Sequence, residues 1–147
     1  MSLLQIALSQ TQTLVSCTLK GGAKQLTTCL SASRVSYAFG SVGNTPELVL
    51  NYSVRDVDMR PWPGVGSSIW EEFTFYNKGV SYVVHYAVER TPDGQVSGGV
   101  TVMKGEQELA HLSCDPGSVV SAGYGLPLFE AKERAGQTYS LETRSWD

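Results

Sequence analysis

Residues 67–114 read SSIWEEFTFYNKGVSYVVHYAVERTPDGQVSGGVTVMKGEQELAHLSC, and the period of this stretch decides the fold. Val80, Tyr82, Val84, Tyr86 and Val88 alternate with Ser81, Val83, His85 and Ala87, so one side of a pleated strand is apolar along its whole length. Upstream, Ile69, Phe73 and Phe75 alternate with Trp70, Glu72, Thr74 and Tyr76. Glu71 falls at the parity of Ile69 and breaks the pattern, which predicts a rim position or a bulge. Turn chemistry separates the runs. Asn77-Lys78-Gly79 fits a three-residue hairpin loop with glycine in the left-handed position. In Thr91-Pro92-Asp93-Gly94, proline sets the first bend and glycine relieves the last. Residues 99–103 and 108–114, turned at 104–107, complete a four-strand meander.

Working outward, residues 13–19 and 24–30 flank a Gly21-Gly22 turn, with 5–8 as an earlier part of the first strand region. Residues 34–39 place Val35, Tyr37 and Phe39 on one side, and 47–54 do the same for Leu48, Leu50, Tyr52 and Val54. The stretch 55–66 is non-periodic, and Pro61 and Pro63 forbid ladder donation there. Only residues 127–135 (PLFEAKERA), stopped by Gly136, predict a helix, and 139–144 predict a last short strand. The sum is one all-β domain over 1–147. We expect a single antiparallel up-and-down β-barrel of about eight strands, because closure removes exposed edges. A two-sheet sandwich is the alternative. Residues 115–147 are expected to form a tail packed on the barrel, and 1–3 to be a leader in place of a removed export signal.

A formal charge of −3 gives no general attraction to nucleic acid or to anionic lipid, so neither is expected as a partner. No apolar run reaches the roughly 18–20 residues that a membrane-spanning helix needs.

The three cysteines, Cys17, Cys29 and Cys114, match no paired zinc spacing and no C-x-x-C redox motif. If the first hairpin loop holds an odd number of residues centred on Ala23, Cys17 and Cys29 lie directly opposite each other at a spacing that suits a disulfide. Cys17–Cys29 is therefore the preferred pair and Cys29–Cys114 the second. Three reduced thiols in a cytosolic protein are the alternative. A disulfide would point to the periplasm or to secretion, and the leftover cysteine to a thiol, an interchain bridge or a lipid anchor on the precursor.

Catalytic patterns are absent. Glu71 and Glu72 are adjacent, so as strand residues they face opposite ways and read as solvated surface charge. His85 and His111 are the only histidines, no G-x-S-x-G elbow supplies a nucleophile, and the Gly-x-Gly pairs lack a strand–turn–helix context. No catalytic residue, metal ligand or cofactor is assigned.

Ser97-Gly98, the strand 100–103, Lys104-Gly105-Glu106 and the run ending in Cys114 together resemble the C-terminal half of bacterial periplasmic inhibitors of c-type lysozyme. The resemblance is confined to 97–114, and the family's Ser-Gly-x-x-Tyr motif has Thr101 here in place of the tyrosine. It implies a small barrel with a disulfide whose Ser-Gly loop and lysine enter the lysozyme cleft, which would make Ser97, Gly98 and Lys104 contacts. Residues 35–40 and 46–48 are similar to exported bacterial proteins, which implies export. The expectation is an exported, non-enzymatic protein that binds another protein. Its contact surface would combine Arg60 and Trp62 in the proline loop with Ser97, Gly98 and Lys104. The preferred reading of Trp62 itself is a cap on the core end. A small-ligand carrier lined by Tyr37, Tyr52, Tyr82 and Tyr86 is the alternative, and a hydrolytic enzyme using His85 or His111 the third reading.

Overall fold

The computed structural model describes residues 11–122 and 127–147, so the strand expected at 5–8 lies outside the described residues. The chain runs through β1 (Thr11–Leu19), β2 (Lys24–Ser31), β3 (Arg34–Ser41) and β4 (Leu48–Ser53), then a single 3-10 turn at Val54–Asp56. It continues through β5 (Asp58–Arg60), β6 (Ser68–Asn77), β7 (Val80–Glu89), β8 (Val96–Lys104) and β9 (Gln107–Ser113). β10 (Val120–Ser121), the helix α1 (Pro127–Arg134), β11 (Tyr139–Ser140) and β12 (Ser145–Trp146) follow. All pairing is antiparallel: one sheet in the order β10-β1-β2-β3-β4, a second in the order β5-β6-β7-β8-β9, and the small hairpin β11-β12. Among the described residues the fold is thus all-β with one short helix, in two main sheets rather than one continuous ladder. At one seam a bridge joins Leu19 to Cys114. At the other, the Tyr52 hydroxyl donates to the Tyr76 carbonyl at 2.7 Å.

The two sheets pack face to face because each supplies one apolar side. Leu26 and Leu30 of β2, Val35 and Tyr37 of β3, and Leu50 of β4 meet Phe73 and Phe75 of β6, Val84 and Tyr86 of β7, and Val100 of β8. The Tyr37 ring reaches across to Phe75 at 5.4 Å and to Tyr82 at 5.5 Å. These tilted pairs fill the gap between the sheets with aromatic surface. A bulge between Thr13 and Val15 turns both Leu14 and Val15 inward. The buried Thr28 hydroxyl satisfies the backbone there, accepting from Val15 N at 2.9 Å and donating to Val15 O at 2.8 Å.

Three expectations need correction. First, β6 pairs with β7 without a register shift from Ser68 to Asn77, so Glu71 points inward without any bulge and is only 6% exposed; it is not solvated surface charge. Second, Asn77 pairs with Val80, leaving a two-residue loop in which Lys78 (φ 52°) and Gly79 (φ 81°) are both left-handed. That geometry matches the twist of the flanking strands better than a longer loop does. Third, the disulfide joins Cys17 to Cys114, with Cα atoms 5.7 Å apart, and Cys29 is the free thiol. The reason lies in the first hairpin. Leu19 pairs with Lys24, so the loop holds an even number of residues, Cys17 faces Leu26, and Cys29 faces Thr13. Cys17 therefore points into the core, beside the incoming end of β9, while Cys29 points outward.

The C-terminal segment closes one side. Leu128, Ala131 and Lys132 are buried at helical spacing. The Lys132 ammonium donates to the carbonyls of Val54 (2.7 Å) and Val57 and sits over the Trp146 ring. Phe129 and Tyr139 pack on Trp146, whose indole N–H donates to the Met59 carbonyl at 2.8 Å. Among the described residues no helix is long and apolar enough to cross a membrane.

Candidate functional site

A concavity runs between edge strand β5 and the β11–β12 hairpin. It consists of two adjoining depressions, of about 90 and 110 Å³, that share Arg60 and Arg144. The polar half is lined by Asp58, Glu72, Thr74 and Tyr76, the other by Pro61, Pro63, Trp70, Tyr139 and Leu141. Local sequence explains the lining. Short β5 alternates Asp58 and Arg60 outward around the buried Met59, and its pairing with β6 sets Arg60 opposite Glu72 and Asp58 opposite Thr74. Pro61 and Pro63 then fix an extended exit that cannot continue the ladder.

Most charges here are already engaged. Asp58 accepts a hydrogen bond from the Tyr76 hydroxyl. Burial, with that bond second, raises the Tyr76 phenol to about 12, so it remains a donor at any physiological pH. Arg60 approaches Glu72 at 3.5 Å, a loose and exposed pair. Arg144 makes no salt bridge among the described residues. Its backbone stands at φ 55°, where glycine would be the default, and its N–H donates to the Ser140 carbonyl at 2.7 Å. The groove therefore offers one uncommitted guanidinium and one weakly committed one, beside a wall of aromatic and proline side chains.

The five residues expected at a contact surface are not all brought together. Arg60 lies in the groove. Trp62 folds back on its own loop, its N–H donating to Val65 O at 2.8 Å and its ring 5.1 Å from the Arg90 guanidinium carbon. Ser97 shares the outer row Trp70–Ala87–Ser97, near Trp62's end of the sheet. Gly98 is buried opposite Tyr86, and a Cβ there would meet the Cys114 sulfur at 3.4 Å. Ser97 and Gly98 thus lie within β8 rather than in a protruding loop, and Lys104 ends the same strand about 23 Å away at ~3.3 Å per residue.

Two buried polar positions complete the picture. The Tyr86 hydroxyl donates to the Glu71 carboxylate, and the two residues are direct cross-strand partners. Burial pushes the Glu71 carboxyl up to about 7, although the bond from Tyr86 opposes the shift. About 10 Å³ of space adjoins it, beside Leu14, Met59 and Leu128, which is at the lower limit for one water. Burial also lowers the Lys132 ammonium to about 8. Glu71 was detectable from its inward parity, and Lys132 from its i, i+4 spacing to Leu128. Arg144, Tyr139 and Leu141 carried no such signal, because they sit in and around a turn whose placement depends on the whole fold.

The chain matches no family model, no curated protein and no solved structure, so its function is read from geometry alone.

Proposed function

We propose that this chain is an exported, non-enzymatic binding protein, and that the groove between β5 and the β11–β12 hairpin takes a carboxylate-bearing segment of a protein partner. The observation that carries this reading is Arg144. An arginine at φ 55° costs about 1 kcal/mol against a glycine, yet its guanidinium has no salt bridge among the described residues. A side chain held at a conformational cost without an internal ion pair fits an external one, and Arg beside Trp, Tyr and Pro is the composition of an interface anchor. The packing of Tyr37, Phe75 and Tyr82 favours binding at the surface over an enclosed small ligand. The Cys17–Cys114 disulfide supports the periplasm or an extracellular space as its location. The Leu19–Cys114 bridge and the Tyr52–Tyr76 bond support reading the two sheets as a single up-and-down barrel wall.

The test compares Arg144→Gly with the unaltered protein in pull-downs from a bacterial envelope extract. Arg144→Gly is expected to keep or slightly raise Tm, while losing at least tenfold in capture of the salt-sensitive partner. Equal capture by both proteins would remove the groove from the account. The lysozyme-inhibitor version rests on Ser97, Gly98 and Lys104. It predicts inhibition of a c-type lysozyme at micromolar protein that Lys104→Ala weakens, and no complex with c-, g- or i-type enzymes would end it.

A further inference from the structure

The chain has two histidines, and the fold brings them together. His85 lies in β7 and His111 in β9, with β8 between them. Pairing of His85 with Gly99 and of Thr101 with His111 places both on the outer face of the second sheet. Rings two strands apart would ordinarily be separated by the side chain of the middle strand. Here that position is Gly99, where a Cβ would come within 3.3 Å of His85 Nε2. The rings therefore meet over β8, centroids 5.9 Å apart and planes within 6° of parallel.

Each ring is also oriented. The Thr101 hydroxyl bonds His111 Nδ1 at 2.8 Å, which leaves Nε2 as that ring's available nitrogen. His85 Nε2 lies over the Gly99 notch. Burial, and next the neighbouring His111, hold the His85 imidazolium below its usual range. With metal–nitrogen bonds of about 2.0–2.1 Å, two imidazoles on one tetrahedral ion have centroids about 5.2 Å apart, and a trans pair about 6.4 Å. The 5.9 Å separation falls between those two values, and because the planes are within 6° of parallel, sharing one ion also requires the two rings to come into a common plane.

We propose that His85 and His111 form a two-imidazole site for a divalent transition-metal cation of borderline softness, through Nε2 of each ring. Thr101 is the positioning residue for His111. No group of three or more acidic, Cys or His ligands exists among the described residues, so the remaining coordination positions belong to water or to a partner's side chain. Glu72, directly opposite His85 on β6, adds a negative charge to the same outer row. An open two-ligand site should follow the usual affinity order, Cu²⁺ above Ni²⁺ and Zn²⁺. Neither histidine lines the two depressions of the groove, which touch this row only at Glu72, and the site does not depend on the reading of Arg144.

The experiment is calorimetric titration of CuCl₂, NiCl₂ and ZnCl₂ into protein carrying Cys29→Ser, which removes the free thiol as a competing ligand. One equivalent of Cu²⁺ is expected to bind most tightly, and His111→Ala should weaken it at least tenfold. Nitrogen hyperfine structure in the Cu²⁺ spectrum should report two imidazoles before that substitution and one after it. His111 is exposed, so its variant folds even if His85→Ala, at a half-buried position, does not. Absence of binding below millimolar Cu²⁺ overturns the proposal. So does an isotherm that His111→Ala leaves unchanged.

Discussion

Glu71 shows what one residue can do to the pH response of the whole chain. Its carboxyl titrates near 7 in the folded protein and near 4.5 when exposed, so the folded state holds an extra proton between those values. Stability from this group is therefore fully present below about 4.5 and is lost as pH rises through 7. Glu71→Gln keeps the shape and an acceptor for the Tyr86 hydroxyl but cannot ionise. Denaturant titrations should find the variant within about 0.5 kcal/mol of the parent at pH 4.5 and more stable by about 1–3 kcal/mol at pH 8. A parallel pair of pH profiles would show that the folded carboxyl is not perturbed. Lys132 runs the opposite way: its folded ammonium titrates near 8 against 10.5, so its contribution improves as pH rises across that window. From sequence Glu71 reads as solvated charge despite its inward parity, and Lys132 is not singled out, although the positions of both carry a signal. A glutamate at the parity of Ile69 and Phe73 and a lysine four residues after Leu128 are charges on faces that must be buried. The sequence does not reveal which neighbour satisfies each, Tyr86 in one case and the carbonyls of Val54 and Val57 in the other.

Among the elements, β1 and β9 depend on each other through Cys17 and Cys114, 97 residues apart. A crosslink closing so long a loop lowers the entropy of the unfolded chain, worth about 4–5 kcal/mol in the chain-entropy account. Cys17→Ser should cost about 2–5 kcal/mol in denaturant unfolding. Thiol titration of the native, unreduced parent should find one group, Cys29; three would mean that the pair does not form. Local period identifies strands well. Val80, Tyr82, Val84 and Tyr86 all turn away from full exposure, as their alternation required. Pairing between distant strands is another matter. The partner of Cys17 depends on whether the loop at 20–23 is even or odd, and on where a strand nearly a hundred residues later arrives. Neither is written in local period. For the same reason the sequence marks Arg60 only as a contact in the proline loop and Arg144 not at all, since β12 reaches β5 through the packing of Trp146.

For the molecule as a whole, the decisive contact is the one the two sheets share. Tyr37 is 2% exposed and touches Phe75 and Tyr82 of the opposite sheet, so neither sheet keeps its buried face without the other. Tyr37→Ala should cost about 3–5 kcal/mol and leave a single cooperative transition. Val49→Thr, on the outer side of β4 at 59% exposure, should change stability by less than about 0.5 kcal/mol. Two separate transitions in the Tyr37 variant would mean that the sheets fold independently. The Cys17–Cys114 bond has one more effect at this scale. If the two ends are pulled apart, tension passes straight from sulfur to sulfur, and the strands from β2 to β9 hang from that link as a slack ring. Only the few residues before Cys17 and the segment after Cys114, with α1 and its hairpin, carry the load. The groove at β5 has one wall inside the ring and the other outside it, so a tug on the C-terminus would open the cleft before it disturbed the core.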